Sequence, residues 1–160
     1  MEEESKFHTV RGYQLLQQND NLLTPAMEDY MEMIYRNCIN EGYMRINTLS
    51  DLLNVAAPSA TKMVRKLSQI GLIDYKRYGI ILLTEQGTKI GSLLLERHKI
   101  IETFLKNIGV LDNELLTETE LIEHNVSTST LLKISIFNQF YSENPNFLNE
   151  YKKYTDNLKT

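Results

Sequence analysis

The chain has 160 residues, 42% of them hydrophobic and 24% charged, with only 7 Gly and 3 Pro; this is the size of one domain or two small modules, and it excludes low complexity and a large multidomain enzyme. Lys and Arg number 17 against 21 Asp and Glu, a formal charge of −4, so a uniformly basic coat is excluded and any affinity for nucleic acid must reside in a local face. The single Cys38 can form neither an internal disulfide nor a CxxC zinc site, and no apolar run approaches the roughly 18 residues of a membrane span, which together point to a cytoplasmic protein with no membrane partner.

Residues 1–22 are polar and read as an N-terminal extension holding at most a short helix around Tyr13–Gln17. Thr24-Pro25 then supplies an N-cap with Pro at the first helical position. Met27, Tyr30, Met31, Ile34, Tyr35 and Cys38 recur at helical spacing, which predicts a first helix ending before Gly42, with Cys38 a buried thiol. Asn47 is expected to cap a short helix over Thr48–Asn54, and after a turn at Val55–Ala57, Pro58 opens a third helix to about Gln69, stopped by Gly71.

Two β-prone runs, Leu72–Tyr78 and Ile80–Leu83, flank Gly79 and predict a small hairpin. Thr84 caps a long helix to about Ile108, with Ile90, Leu94, Ile101, Leu105 and Ile108 on one face and Gly109 as its stop. Thr117–Glu120 is expected to start another helix through a capping box, and Ser127–Thr130 a further one carrying Leu131, Ile134, Phe137 and Tyr141. A last helix is predicted over Asn146–Leu158, and the chain shows no internal repeat.

Basicity is concentrated in one place. Between Pro58 and Tyr78 stand Lys62, Arg65, Lys66, Lys76 and Arg77 against Asp74 alone, a local charge of +4 within a chain of −4. Lys62, Arg65, Lys66 and Gln69 fall at steps of three and four on the third helix, opposite Met63, Val64, Leu67 and Ile70. A solvated surface helix accounts for the lysines alone; a helix-turn-helix followed by a basic hairpin is the order of a winged helix. In that arrangement Ser59 and Thr61 approach base edges from the recognition helix, and Lys76, Arg77 and Tyr78 place a wing on the neighbouring backbone.

A second constellation is acidic. Asp29 and Glu32 lie three apart on the first helix, where Glu32 can also pair with Arg36 as a plain surface ion pair. His98 falls beside the apolar face of the long helix, a position that a core histidine also fills. Glu120, Glu123 and His124 have spacings that put three ligands on one helical face, although Glu120 doubles as a capping-box residue. Two imidazoles and four carboxylates without a thiolate suit Mn²⁺ or a similar borderline-hard cation better than structural zinc.

From about Leu23 to Ser142 the chain resembles the manganese-responsive branch of the diphtheria toxin repressor (iron-dependent repressor) family. The carriers are residues 24–35 (TPAMEDYMEMIY), 59–67 (SATKMVRKL), 83–87 (LTEQG), 96–98 (ERH) and 120–124 (ELIEH). The resemblance implies a mainly α protein, with a winged helix-turn-helix DNA-binding domain over residues 23–91 and an all-helical metal-binding and dimerisation domain over residues 92–160. It also implies a two-ion metal site where the two meet, with Asp29, Glu32, His98, Glu120, Glu123 and His124 as ligands, all six present. Iron-responsive relatives carry Met at the position of Asp29 and Cys at that of Glu120, and the exchange of sulfur for oxygen favours Mn²⁺.

The expected activity is that of a homodimeric, Mn²⁺-activated repressor of metal-uptake genes on palindromic double-stranded DNA, with no small-molecule substrate. Some two ions per subunit are expected, with Fe²⁺, Cd²⁺ and Zn²⁺ competing for the same ligands in vitro. The resemblance departs at the long N-terminal extension, at Pro58, displaced by one residue in its turn, and in lacking a C-terminal SH3-like domain, which is usual in the manganese branch. The rivals are a winged-helix regulator with a different or lost metal response, and a small His/carboxylate metalloenzyme. Against the latter stand the basic hairpin and the lack of a phosphate-binding loop or nucleophile motif.

Overall fold

The computed structural model describes residues 23–158; the helix expected around Tyr13–Gln17 lies outside them. The chain divides into two compact units between Glu96 and Arg97.

The first unit opens with helix α1 (Pro25–Glu41). Thr24 caps it, its Oγ1 accepting from Met27 N at 3.3 Å, and Gly42 ends it at φ +78, a left-handed conformation that costs glycine little. Met27, Met31, Ile34 and Cys38 are buried along one stripe, as their spacing predicts. Strand β1 (Met44–Arg45) leads into α2 (Ile46–Leu52), and α3 (Ala57–Gln69) follows after a turn that reverses at Asn54, φ +51. The second helix therefore begins before Asn47: Arg45 occupies the N-cap, and Asn47 gives its carbonyl to Ser50 Oγ at 2.8 Å. The two preceding residues are recruited by β1, which pairs with a strand further on, a contact that local capping preference does not register.

Strand β2 (Ile73–Tyr75) returns through a short 3-10 turn (Arg77–Gly79) to β3 (Ile80–Leu83). The sheet is antiparallel in the order β1-β3-β2, with Met44 opposite Ile81 and Ile73 opposite Leu83. It thus has three strands where a two-stranded hairpin was expected. Its tip takes two left-handed residues, Tyr78 at φ +63 and Gly79 at φ +73. Thr84 caps the long helix α4 (Glu85–Ile108) by accepting from Gly87 N at 3.0 Å. Ala60, Val64, Leu67, Leu72, Ile73, Ile81, Ile90 and Leu94 complete the core of this unit.

The second unit begins within α4 and adds α5 (Asp112–Glu123), α6 (Thr128–Glu143) and α7 (Pro145–Leu158). α5 starts five residues before the expected Thr117, with Leu111 as N-cap and Asp112 and Glu114 in the first turn, where acidic groups meet the positive end of the helix dipole. Thr117 is consequently an interior residue and no capping box exists there. Ser127 does cap α6, its Oγ accepting from Thr130 N at 3.3 Å. Ile101, Leu105, Leu115, Leu131 and Tyr141 are buried, while Ile108, placed on the apolar face by its spacing, is 37% exposed at the helix end. There α4 stops at Gly109, φ +96, and its last carbonyls accept from tyrosines, Tyr141 Oη to Asn107 O at 2.8 Å and Tyr151 Oη to Ile108 O at 3.0 Å.

Candidate DNA-binding face and metal centre

In the first unit, α3 buries Ala60, Val64 and Leu67 and exposes Ser59, Lys62, Arg65, Lys66 and Gln69. One face therefore carries three cations and two neutral polar groups while the other is core. Thr61 is half-buried and its hydroxyl donates to Ala57 O at 2.9 Å, which leaves its oxygen as an acceptor. Lys76, Arg77 and Tyr78 are all exposed on the hairpin, Tyr78 at 91%. Lys76 is partly neutralised by Asp74 at 3.2 Å, whereas Arg77 carries its charge at the tip. An amphipathic recognition helix followed by a basic wing can lie on a duplex and read it.

Asp29 and Glu32 are one turn apart on α1, Asp29 half-buried and Glu32 8% exposed. Arg36 Nε donates to Glu32 Oε1 at 2.9 Å, the i, i+4 pair that the spacing allows. Cys38, further along the same helix, is buried and burial pushes its thiol up.

The second unit gathers the remaining four candidates. Glu120, Glu123 and His124 each offer a ligand atom, the three within 4.8 Å of one another. From α4, His98 Nδ1 lies 3.0 Å from Glu123 Oε2; His98 is 3% and Glu123 1% exposed. A carboxylate beside Nδ1 favours a ring proton on that nitrogen, and a neutral ring so protonated would present its Nε2 lone pair to a metal. Glu120 and Glu123 sit in the last turn of α5, which holds no basic residue. Two carboxylates at the negative end of a helix dipole are mutually unfavourable without a cation. The donors are oxygen and nitrogen with no sulfur, and they fit a borderline-hard divalent ion.

Residues 22–81 match the iron dependent repressor N-terminal DNA binding domain, and residues 84–149 the metal binding and dimerisation domain of the same repressors. The chain belongs to the iron-dependent repressor family. Its curated relatives include the HTH-type transcriptional regulator MntR of Lysinibacillus sphaericus, 38% identical over 78% of this chain and 90% of that protein. The MntR of Listeria welshimeri is 40% identical over 81% and 91%. The chain is thus a transcriptional regulator and not an enzyme.

Among solved structures, the manganese regulator SloR superposes with a TM-score of 0.63 at 30% identity, over 72% of this chain and 54% of that one. A manganese-dependent transcriptional repressor in complex with manganese gives 0.60 at 28%, over 71% and 52%. The chain spans about half the length of these two structures and about nine-tenths of the curated relatives.

One polar residue of the second unit escaped the sequence reading. Arg97 is buried, and its Nη2 lies 3.3 Å from His124 Nδ1. The only signal available was its place between Glu96 and His98 in a motif that carries the family resemblance.

Proposed function

We propose that the protein is a homodimeric, Mn²⁺-responsive repressor of metal-uptake genes, acting in the cytoplasm on a palindromic operator. The observation that carries this reading is the sulfur-free cluster of His98, Glu120, Glu123 and His124, on the positions that the family uses for metal, in a chain whose other unit is a winged helix with a basic face.

The proposed ligands are these four together with Asp29 and Glu32 of α1, about two ions per subunit. Bound Mn²⁺ would supply the positive charge that balances these carboxylates. Without it the same carboxylates repel, so the protein samples conformations of which few match two half-sites one helical turn apart. Restricting that ensemble raises operator affinity without adding a single contact to DNA. On the duplex, Lys62, Arg65, Lys66, Lys76 and Arg77 neutralise phosphates, Ser59 and Thr61 face base edges, and Tyr78 packs on the sugar-phosphate chain from the wing.

The test is selection of bound duplexes from a random pool, run in parallel with Mn²⁺ and with a chelator. A palindromic site enriched only with Mn²⁺ is the expected result. Enrichment in both arms removes the metal response, and enrichment in neither removes the operator.

A further inference from the structure

Arg97 and His124 are 27 positions apart in the sequence, on α4 and at the C-terminal cap of α5, and they meet in the second unit at 3.3 Å. A guanidinium has donors only, so His124 Nδ1 is the acceptor; the ring is neutral and its proton sits on Nε2. His98 differs in its partner: its Nδ1 faces the Glu123 carboxylate at 3.0 Å rather than a guanidinium. The two imidazoles of the cluster thus meet opposite kinds of group, a carboxylate at one and a guanidinium at the other.

We propose that Arg97 is a latch on the metal site: its hydrogen bond to His124 and metal ligation by His124 exclude one another, so the latch raises the metal concentration at which the protein responds. This rests on His124 being a ligand, as assigned above. The exclusion holds whichever nitrogen ligates. Ligation through Nδ1 needs the lone pair that the guanidinium occupies. Ligation through Nε2 needs the proton moved to Nδ1, where it faces an N–H of Arg97, donor against donor. The second nitrogen bears on the same site, since Nε2 lies 3.7 Å from Glu123 Oε1.

Arg97 is 8% exposed and the His124 side chain 12%, so water replaces the broken bond poorly. Charge-assisted hydrogen bonds in such surroundings correspond to about a tenfold effect on a competing equilibrium. The latch thereby sets sensitivity without touching the ion.

The test uses the full chain and Mn²⁺ alone, titrated calorimetrically at one pH into wild type, Arg97→Met and Arg97→Lys. Alongside, nitrogen-15 spectra of the metal-free wild type read the His124 tautomer. The expected results are a His124 proton on Nε2, Mn²⁺ binding about tenfold tighter in Arg97→Met, and a smaller gain in Arg97→Lys. Equal or weaker binding by a folded Arg97→Met overturns the latch. So does an Arg97→Lys protein identical to wild type beside a tighter Arg97→Met, because charge alone then accounts for the gain. Should Arg97→Met not fold, a His124 proton on Nδ1 in the wild type overturns the latch by itself. Wild type that takes up no Mn²⁺ defeats the metal-responsive reading, whereas wild type that binds with no gain in Arg97→Met defeats only the latch.

Discussion

Replacing Gly87 by alanine separates local from tertiary reasoning by the sign of its effect. Gly87 lies in the first turn of α4, and helix propensity alone makes Gly→Ala there worth up to about 1 kcal/mol of added stability. A Cβ built on Gly87, however, falls 1.8 Å from the Leu72 carbonyl oxygen, a backbone atom. An ordinary carbon-oxygen contact is about 3.3 Å or more, so the chain must open by about 1.5 Å. That carbonyl also accepts from Thr84 N at 3.2 Å and Thr84 Oγ1 at 3.0 Å, and Thr84 Oγ1 in turn accepts from Gly87 N at 3.0 Å. Overpacking costs about 1–3 kcal/mol and each weakened hydrogen bond about 1 kcal/mol, so Gly87→Ala should lose about 3 kcal/mol net of the propensity gain. For a unit of this size that lowers Tm by about 12–24 °C. Thermal denaturation followed by circular dichroism measures it, with Gly42→Ala as comparison: a Cβ there meets nothing within 4 Å, so only the positive φ is penalised, by about 1 kcal/mol. A Gly87→Ala protein as stable as wild type, or more so, would refute the packing of the first turn of α4 against Leu72, between α3 and β2.

Four further outcomes follow from the same geometry. Lys66→Ala should flatten the slope of log affinity against log salt for operator DNA by about 0.9 per subunit, whereas Lys76→Ala should change it by less because Asp74 already screens that ammonium; equal slopes in the two variants would contradict the assignment. Both histidines must be neutral to ligate, so protons compete and Mn²⁺ affinity should fall as pH is lowered, a flat calorimetric profile from about pH 8 to 5.5 counting against these ligands. Glu120→Cys should shift metal preference from Mn²⁺ toward Zn²⁺ or Fe²⁺ in competition titrations, and an unchanged preference would remove Glu120 from the ligand set. Burial raises the Cys38 thiol, so thiolate is scarce at neutral pH and alkylation of the native protein should stay slow until pH passes the ordinary thiol range; rapid labelling at pH 7.5 would show that α1 does not hold Cys38 in the core.

Helices α1, α3, α4, α6 and α7 were legible because their signals are local. Thr24-Pro25, Thr84 and Ser127 cap within three residues of themselves, and the apolar stripes of α1 and α4 repeat within a turn. The amphipathic split of α3 and the basic wing were legible for the same reason, and with them the DNA-binding reading. Asn47 and Thr117 are good caps by composition, yet α2 and α5 begin ahead of them, at Ile46 and Asp112; for α2 a neighbouring segment supplied the beginning. For α2 that segment is β1, fixed by pairing with Ile80 and Ile81 some 36 positions away.

The ligand types, their spacing and the family they resemble were all in the linear chain, because side-chain chemistry and helical period need no partner. Which of those groups are buried and which partner each imidazole meets were decided by tertiary structure. His98 is set by Glu123 and His124 by Arg97, contacts 25 and 27 residues apart in sequence. A tautomer is chosen by the hydrogen-bond partner that packing brings, and no local pattern of residues contains that partner.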